Sequence, residues 1–221
     1  MTDASIVELE EPEFHEILTK RLRLRTVRVA DTELIMPLIT RPEVMYWTSQ
    51  GPVQNVEQGR QWMSARTPGR DCFNFAIEER NDATEKDKKS PPPIVGLAGC
   101  FHPPEIGYMI HPDHAGKGYA TEALQALIPE IFERFPSANE GGIGFDHIEG
   151  WVDSKNGASR RILEKTGFVF CETHIDADNQ VRGPCELLIF RIARPGKTLE
   201  GLGLVPKANA ESDGPPSPPV Q

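Results

Sequence analysis

Apolar and polar residues recur along this chain with two different periods, and the periods divide it into elements. RLRLRTVRV (21–29) alternates arginine with apolar residues, the period of a half-buried strand. Asp31 stands where it would cap a helix whose apolar residues, Leu34, Ile35 and Leu38, recur at helical spacing. VEQGRQWMSAR (56–66) predicts a second, short helix, and CFNFAIEE (72–79), PIVGLAGC (93–100) and EIGYMI (105–110) read as strands. A long helix is predicted over YATEALQALIPEIFERF (119–135), where Leu124, Leu127, Ile128, Ile131, Phe132 and Phe135 make one apolar stripe. Pro129 removes the amide that would bond the carbonyl of Gln125, which predicts a kink there, not an end. A strand around HIEGWV (147–152), a helix from Asn156 to Thr166 and closing strands FVFCET (168–173) and CELLIFRI (185–192) complete the pattern. Gly167 suits the left-handed position just past that helix. The order β-α-α-β-β-β-α-β-α-β-β is that of a mixed α/β domain.

Composition narrows the function classes. With 221 residues the chain fits one domain, and no stretch approaches the roughly 20 apolar residues of a membrane span, so no membrane partner is expected. The acidic opening MTDASIVELEEPEFHEIL lacks the basic region of a secretory or mitochondrial signal. A formal net charge of −9 argues against a nucleic-acid partner, yet −6 of it lies in residues 1–19, −1 in 195–221 and only −2 in 20–194. Residues 1–19 therefore read as an acidic arm, 20–194 as the working domain, and the Pro-rich 195–221 as a disordered tail. Pro215 to Pro219 could form a PxxP-like ligand, although a solvated tail is the plainer reading. Within the domain, ERNDATEKDKKSPPP (79–93) reads as a flexible connection. Cys72, Cys100, Cys171 and Cys185 lie too far apart for a CxxC site, which points to free thiols in a reducing, cytoplasmic setting.

The chemistry concentrates in EIGYMIHPDHAGKGYATEAL (105–124), where a strand runs through Gly116-Lys117-Gly118-Tyr119-Ala120 into the long helix. Small residues let the backbone approach a phosphate, free amides at a helix N-terminus point at it, and Lys117 adds a cation. This is neither a Walker A loop nor GxGxxG. A second stretch, VDSKNGASRRILEKTGF (152–168), follows about forty residues on. Together the two resemble the GNAT superfamily of acetyl-coenzyme A-dependent N-acetyltransferases, most of all its ribosomal-protein (Rim-type) branch, and the resemblance spans 20–194.

The resemblance implies a GNAT fold: a mixed, mostly antiparallel sheet of about six to seven strands, splayed at the coenzyme site, with about four helices. It implies that the amides of Lys117, Gly118, Tyr119 and Ala120 hold the coenzyme pyrophosphate. Met109 and Ile110 would pair with the pantetheine arm, Asn156 would contact it, Ser159 would lie near the thioester sulfur, and Arg160 or Arg161 would reach a phosphate. Ala115 replaces the usual basic or glutamine residue of the loop, and Leu163 stands where many GNAT enzymes place a tyrosine acid. That leaves water or Ser159 to protonate the thiolate.

An attacking amine must be neutral, and an α-amino group near pKa 7.7–8.0 needs only a modest base where a lysine near about 10.4 needs a strong one. Glu105 is the candidate base, with a solvated strand-end carboxylate as its plain alternative, and His111 or His114 as lesser bases. His102, His111 and His114 crowd the region, but HPDH offers no third ligand, so no metal is expected. Tyr46 and Trp47 could line an acceptor cleft, with local core as an equal reading of Trp47, and Asp176 and Asp178 could attract a cationic amine or simply form a turn. The expectation is transfer of acetyl from acetyl-CoA to a primary amine, on a protein N-terminus or a small molecule, by direct attack in a ternary complex. A monomer or homodimer is expected. The rival is a non-catalytic acyl-CoA-binding or scaffolding protein.

Overall fold

The computed structural model describes residues 12–67, 73–80, 92–137 and 144–204. The beginning of the acidic arm, Cys72, most of the 79–93 connection and the proline-rich end of the tail lie outside the described residues. Eight strands form one sheet in the order β1-β2-β3-β4-β5-β6-β8-β7: β1 (Glu16–Leu18), β2 (Leu22–Thr26), β3 (Asn74–Glu79), β4 (Ile94–His102), β5 (Glu105–Ile110), β6 (His147–Asp153), β7 (Val169–Asp176) and β8 (Cys185–Ala193). Every neighbouring pair is antiparallel except β5 and β6, which run parallel and are registered only at Glu105 and Glu149. Beyond that pair the two strands part, and the sheet is forked. The helices are α1 (Thr32–Ile39), α2 (Pro42–Met45), α3 (Val56–Ser64), α4 (Tyr119–Arg134) and α5 (Gly157–Lys165). Among the described residues no helix is long and apolar enough to cross a membrane.

The sheet separates two cores, and strand alternation assigns residues to each. Leu22, Leu24, Phe75 and Ile77 pack with Ala123, Leu124, Leu127, Ile128, Ile131 and Phe132 of α4, so the stripe seen in the sequence is the buried face of that helix. On the other side Ala76 and Leu97 meet Ile35, Leu38 and Ile39 of α1 and Trp62 and Met63 of α3. Each fully buried Leu or Ile side chain contributes roughly 1.5–3 kcal/mol, so these layers are the main stabilising term. Helix α4 continues past Pro129 to Arg134, as the unbroken stripe requires.

Three local expectations change in the fold. Part of the arm assigned to 1–19 is a strand: β1 pairs with β2 through Glu16 and Arg25, and its short, acidic sequence carries too little periodicity to be recognised. Residues 195–204, assigned to the tail, fold back onto the domain, where Leu199 is buried and Lys197 Nζ lies 3.0 Å from Asp146 Oδ2. Asp31 does not cap α1 through its side chain. Its carboxylate accepts the Arg28 amide at 2.9 Å and both terminal nitrogens of Arg25 at 2.8 Å, and a 3-10 turn at Val29–Asp31 results.

Arg23 and Arg25 of β2 are tied to acidic side chains. Arg25 Nε donates to buried Glu78 at 2.7 Å, and Arg23 bridges Glu78 at 3.1 Å and Glu16 at 2.6 Å. Helix α5 ends as expected: Gly167 has φ +91°, and the amides of Phe168 and Gly167 bond the carbonyls of Leu163 and Glu164 in a Schellman arrangement.

Candidate functional site

The loop after β5 is built for backbone exposure. A 3-10 turn at Pro112–His114 leads into Gly116 and Gly118, whose φ angles of +76° and +82° favour glycine. Gly118 is the N-cap of α4 and has no side chain to occupy the first amides of this 16-residue helix. Those amides face a cleft of about 510 Å³ lined by Ile110, Gly116, Gly118 and Tyr119 on one side and Asn156, Ser159, Arg161 and Lys165 on the other. The cleft thus combines a helix N-terminus with two cations from α5.

Two predicted cations sit elsewhere. The Lys117 side chain does not line the cleft: its Nζ is 3.3 Å from His114 Nδ1 and 3.6 Å from Glu79 Oε1. Glu79, whose carboxylate is also bonded by Tyr119 and His114, is held below the usual carboxylate range by those bonds against the opposing effect of burial. Arg160 pairs with Glu164 one turn on at 2.8 Å and faces away, whereas Arg161 lines the cleft. At adjacent helical positions, spacing alone does not say which arginine turns inward.

At the fork, the bond from the His111 amide to the Val95 carbonyl fixes how β5 alternates. It directs the main chain of Met109 toward β4 and the amides of Tyr108 and Ile110 toward the opening. Ile110 therefore offers a strand-like edge to the cleft, while Met109 contributes its side chain. Tyr108 is the residue that sequence reasoning missed. Its hydroxyl lies 2.7 Å from Ser159 Oγ and donates to the Ser159 carbonyl at 3.0 Å, and burial pushes its pKa up to about 12. Its signal was available: a tyrosine alternating with Ile106 and Ile110 on an inward face must find a partner for its hydroxyl. Ser159 in turn donates its amide to Asn156 Oδ1 at 3.1 Å, so Asn156 is the side-chain cap of α5.

A second cleft of about 520 Å³ opens on the other side of the fork and shares Trp47, Thr48, Tyr108, Met109, Asn156 and Ser159 with the first. Glu105 lines it, half-buried, with its pKa raised by burial and by the charge of Glu149, and lowered less by His102. Glu149 itself is bonded by Trp151 Nε1 and Arg191 Nε, each at 2.9 Å, and lies 3.7 Å from His147. His147, Trp151 and Arg191 outweigh burial and bring Glu149 to about 2. Because this value lies below the unfolded reference of 4.5, the carboxylate stabilises the fold above that pH and loses its effect as the pH falls toward 2. Glu149→Gln should therefore lower the urea midpoint near pH 7 by an amount that shrinks steadily from about pH 6 to about pH 3. A difference independent of pH would refute this assignment.

Around the second cleft, Trp47 lines both openings, while Tyr46 packs edge-on against it with ring centroids 4.9 Å apart. Tyr46 lines neither cleft; its carbonyl accepts Arg182 Nη1 at 2.6 Å, and its ring lies 5.9 Å from that guanidinium. Asp176 takes the Asp178 amide at 3.2 Å and Asn179 Nδ2 at 3.1 Å, which shapes the hairpin turn, and Asp176 also lines the second cleft, whereas Asp178 does not. Among the described residues no group of three or more His, Cys, Asp or Glu side chains is placed to hold a metal.

Residues 21–169 match the family model of the acetyltransferase (GNAT) domain. The chain belongs to the GNAT acetyltransferase family. It is similar to the uncharacterized N-acetyltransferase p20 of Bacillus licheniformis, 25% identical over 159 residues that cover 69% of this chain and 81% of that one. Its fold is that of a GNAT-family acetyltransferase from Bacillus anthracis, with a TM-score of 0.62 at 20% identity, covering 81% of this chain and 98% of that one. It also superposes on the microcin C7 self-immunity acetyltransferase MccE, solved with acetyl-CoA and AMP, with a TM-score of 0.58 at 16% identity and coverage of 79% and 93%. In this GNAT acetyltransferase, Leu163 is core: a Cβ on Gly150 of β6 would come within 2.8 Å of its side chain. The hydroxyl pair at the fork is Tyr108 and Ser159 instead.

Proposed function

We propose that this acetyltransferase takes acetyl from acetyl-CoA and passes it to a primary amine, on a protein N-terminus or a small molecule, by direct attack in a ternary complex. The observation that carries the reading is the meeting of two clefts at Tyr108, Asn156 and Ser159, one suited to an anion and the other holding a half-buried carboxylate. The donor fits the first. Amides of Lys117, Gly118, Tyr119 and Ala120 at the uncapped start of α4 suit a pyrophosphate, with Arg161 in place of Arg160 and with Lys165 as cations. The free edge of Ile110 suits the amides of a pantetheine arm, with Met109 and Asn156 beside it. When bound, acetyl-CoA supplies an activated acyl group.

The chain's own residues then have distinct tasks. An edge amide of β5 can stabilise negative charge developing on the acyl oxygen. Ser159, its hydroxyl hydrogen-bonded to that of Tyr108, would relay a proton from solvent to the leaving sulfur, taking one up as it gives one. Glu105 takes the proton of the amine, through water, and Trp47 forms a wall of the acceptor cleft. The paired motifs favour the Rim-type branch, hence an N-terminal amine.

Thiol release on a panel of peptides and small amines tests the reading, and acetyl-CoA binding without turnover on any amine would refute it. Because a base acts only when deprotonated and Glu105 is raised, kcat/KM should show, below the limb set by protonation of the amine itself, a second acid limb above the ordinary carboxylate range. Glu105→Gln should remove that limb and cost roughly 10²-fold in kcat/KM near neutral pH. An unchanged limb in the variant would assign the base elsewhere.

A further inference from the structure

The turn between β1 and β2 reaches the loop ahead of α4 through one arginine. Arg21 Nε donates to Glu122 Oε2 at 2.7 Å, its main-chain amide to Glu122 Oε1 at 2.9 Å, and Nη1 to the Lys117 carbonyl at 2.9 Å. Thr19 Oγ1 adds a bond to Glu122 Oε1 at 2.6 Å, and the guanidinium lies 4.8 Å over the Tyr119 ring. Burial works to raise Glu122, yet the bonds from Thr19 and Arg21 outweigh it and hold the carboxylate below its usual range. Arg21 thus parts company with Arg23 and Arg25, which pair with acids of the sheet. One rigid fork grips a charged anchor and a peptide carbonyl from two nitrogens held a fixed distance apart, where a lysine offers a single nitrogen.

The consequence is a peptide orientation. Gly116, Gly118 and Tyr119 line the coenzyme cleft, whereas Lys117 and Arg21 do not. The Lys117 carbonyl, aimed at Arg21, points away from the cleft. In a planar trans peptide the N–H and C=O point in opposite directions, so the same bond turns the Gly118 amide toward the cleft. Glycine alone does not make that choice, because it tolerates either sign of φ and thus either orientation of the preceding peptide. The flipped peptide would present a carbonyl oxygen, the negative end of its dipole, to an anionic ligand.

We propose that Arg21 is a positioning residue for donor binding: anchored on Glu122, it holds the Lys117–Gly118 peptide with its amide toward the pyrophosphate of acetyl-CoA. This rests on the donor assignment above. The test compares acetyl-CoA with S-acetyl-pantetheine, a donor without the pyrophosphate. Kd is measured by calorimetry or ligand-observed NMR for the wild type, Arg21→Gln, Arg21→Lys and Glu122→Gln.

The three variants should each bind acetyl-CoA about tenfold more weakly and S-acetyl-pantetheine as the wild type does. Arg21→Lys keeps the charge but not the two-point grip, so its full recovery would reduce the role to charge and overturn the proposal. Equal losses for both donors would make Arg21 merely structural, and no loss for either would remove it from the site; both overturn the proposal. A wild type that binds no acetyl-CoA would overturn the donor assignment itself.

Discussion

Gly118→Val is expected to weaken acetyl-CoA binding by about 10³-fold while the domain stays folded. Gly118 sits at φ +82°, where a side chain costs about 1–2 kcal/mol and a β-branched one more. The cost is conformational: a Cβ there would meet only Arg21 Nη2, at an ordinary 3.5 Å. Valine therefore drives the loop to negative φ, and the amides of Gly118, Tyr119 and Ala120 leave their common direction. Each hydrogen bond to a charged group is worth about 1.5–3 kcal/mol, so losing two of them reaches about 4 kcal/mol. Calorimetric titration with acetyl-CoA reads the loss, and the thermal midpoint should fall by only a few degrees because the loop carries little of the core. Binding within about tenfold of wild type would show that the loop amides do not hold the donor.

The second large effect concerns the acceptor side and is one of stability. Arg182, in the turn between β7 and β8, faces Asp153 of β6 with Nε 2.9 Å from Oδ2, and the side chains are only 7% and 4% exposed. That approach is an ion contact and not an in-line hydrogen bond. The guanidinium also donates to the carbonyls of Tyr46 at 2.6 Å and Thr48 at 3.1 Å, just past α2. One side chain therefore ties three segments around the second cleft. Arg182→Leu leaves a carboxylate buried without its partner and two carbonyls without donors, which should cost about 3–5 kcal/mol in urea unfolding. Adding Asp153→Asn should recover part of that cost, since the stranded charge is then gone. The KM for the amine should rise more than the Kd for acetyl-CoA, because Arg182 and Asp153 line only the second cleft, while Thr48, whose carbonyl Arg182 holds, borders both. A stability loss below about 1 kcal/mol would mean that the pair is solvated in solution.

Legibility followed the range of the interaction. The α4 stripe and the Gly167 cap are set by residues three to five apart, and both stand in the structure as the spacing implies. The paired motifs around Gly116–Ala120 and Asn156–Ser159 likewise lie on a loop before one helix and at the start of another, facing one cleft. Where the sequence misled, a side chain had found a partner far along the chain. Asp31, a helix cap by position, is captured by Arg25; Lys117, a phosphate cation by position, lies against Glu79; and β1 is a strand because β2 pairs with it. Tyr108 went unnoticed because its partner, Ser159, is 51 residues away.

By itself, then, the sequence determined most of the elements, the GNAT family and the glycine-rich loop ahead of α4, because helix periodicity, strand alternation and positive-φ glycines are local constraints written in consecutive residues. Only the tertiary structure decided which charges reach the clefts. Ionic partners are chosen by proximity in space, and here Glu79, Glu122, Glu149 and Asp153 had claimed Lys117, Arg21, Arg191 and Arg182. Arg161 and Glu105 remain at the openings, and on them the donor and acceptor predictions rest.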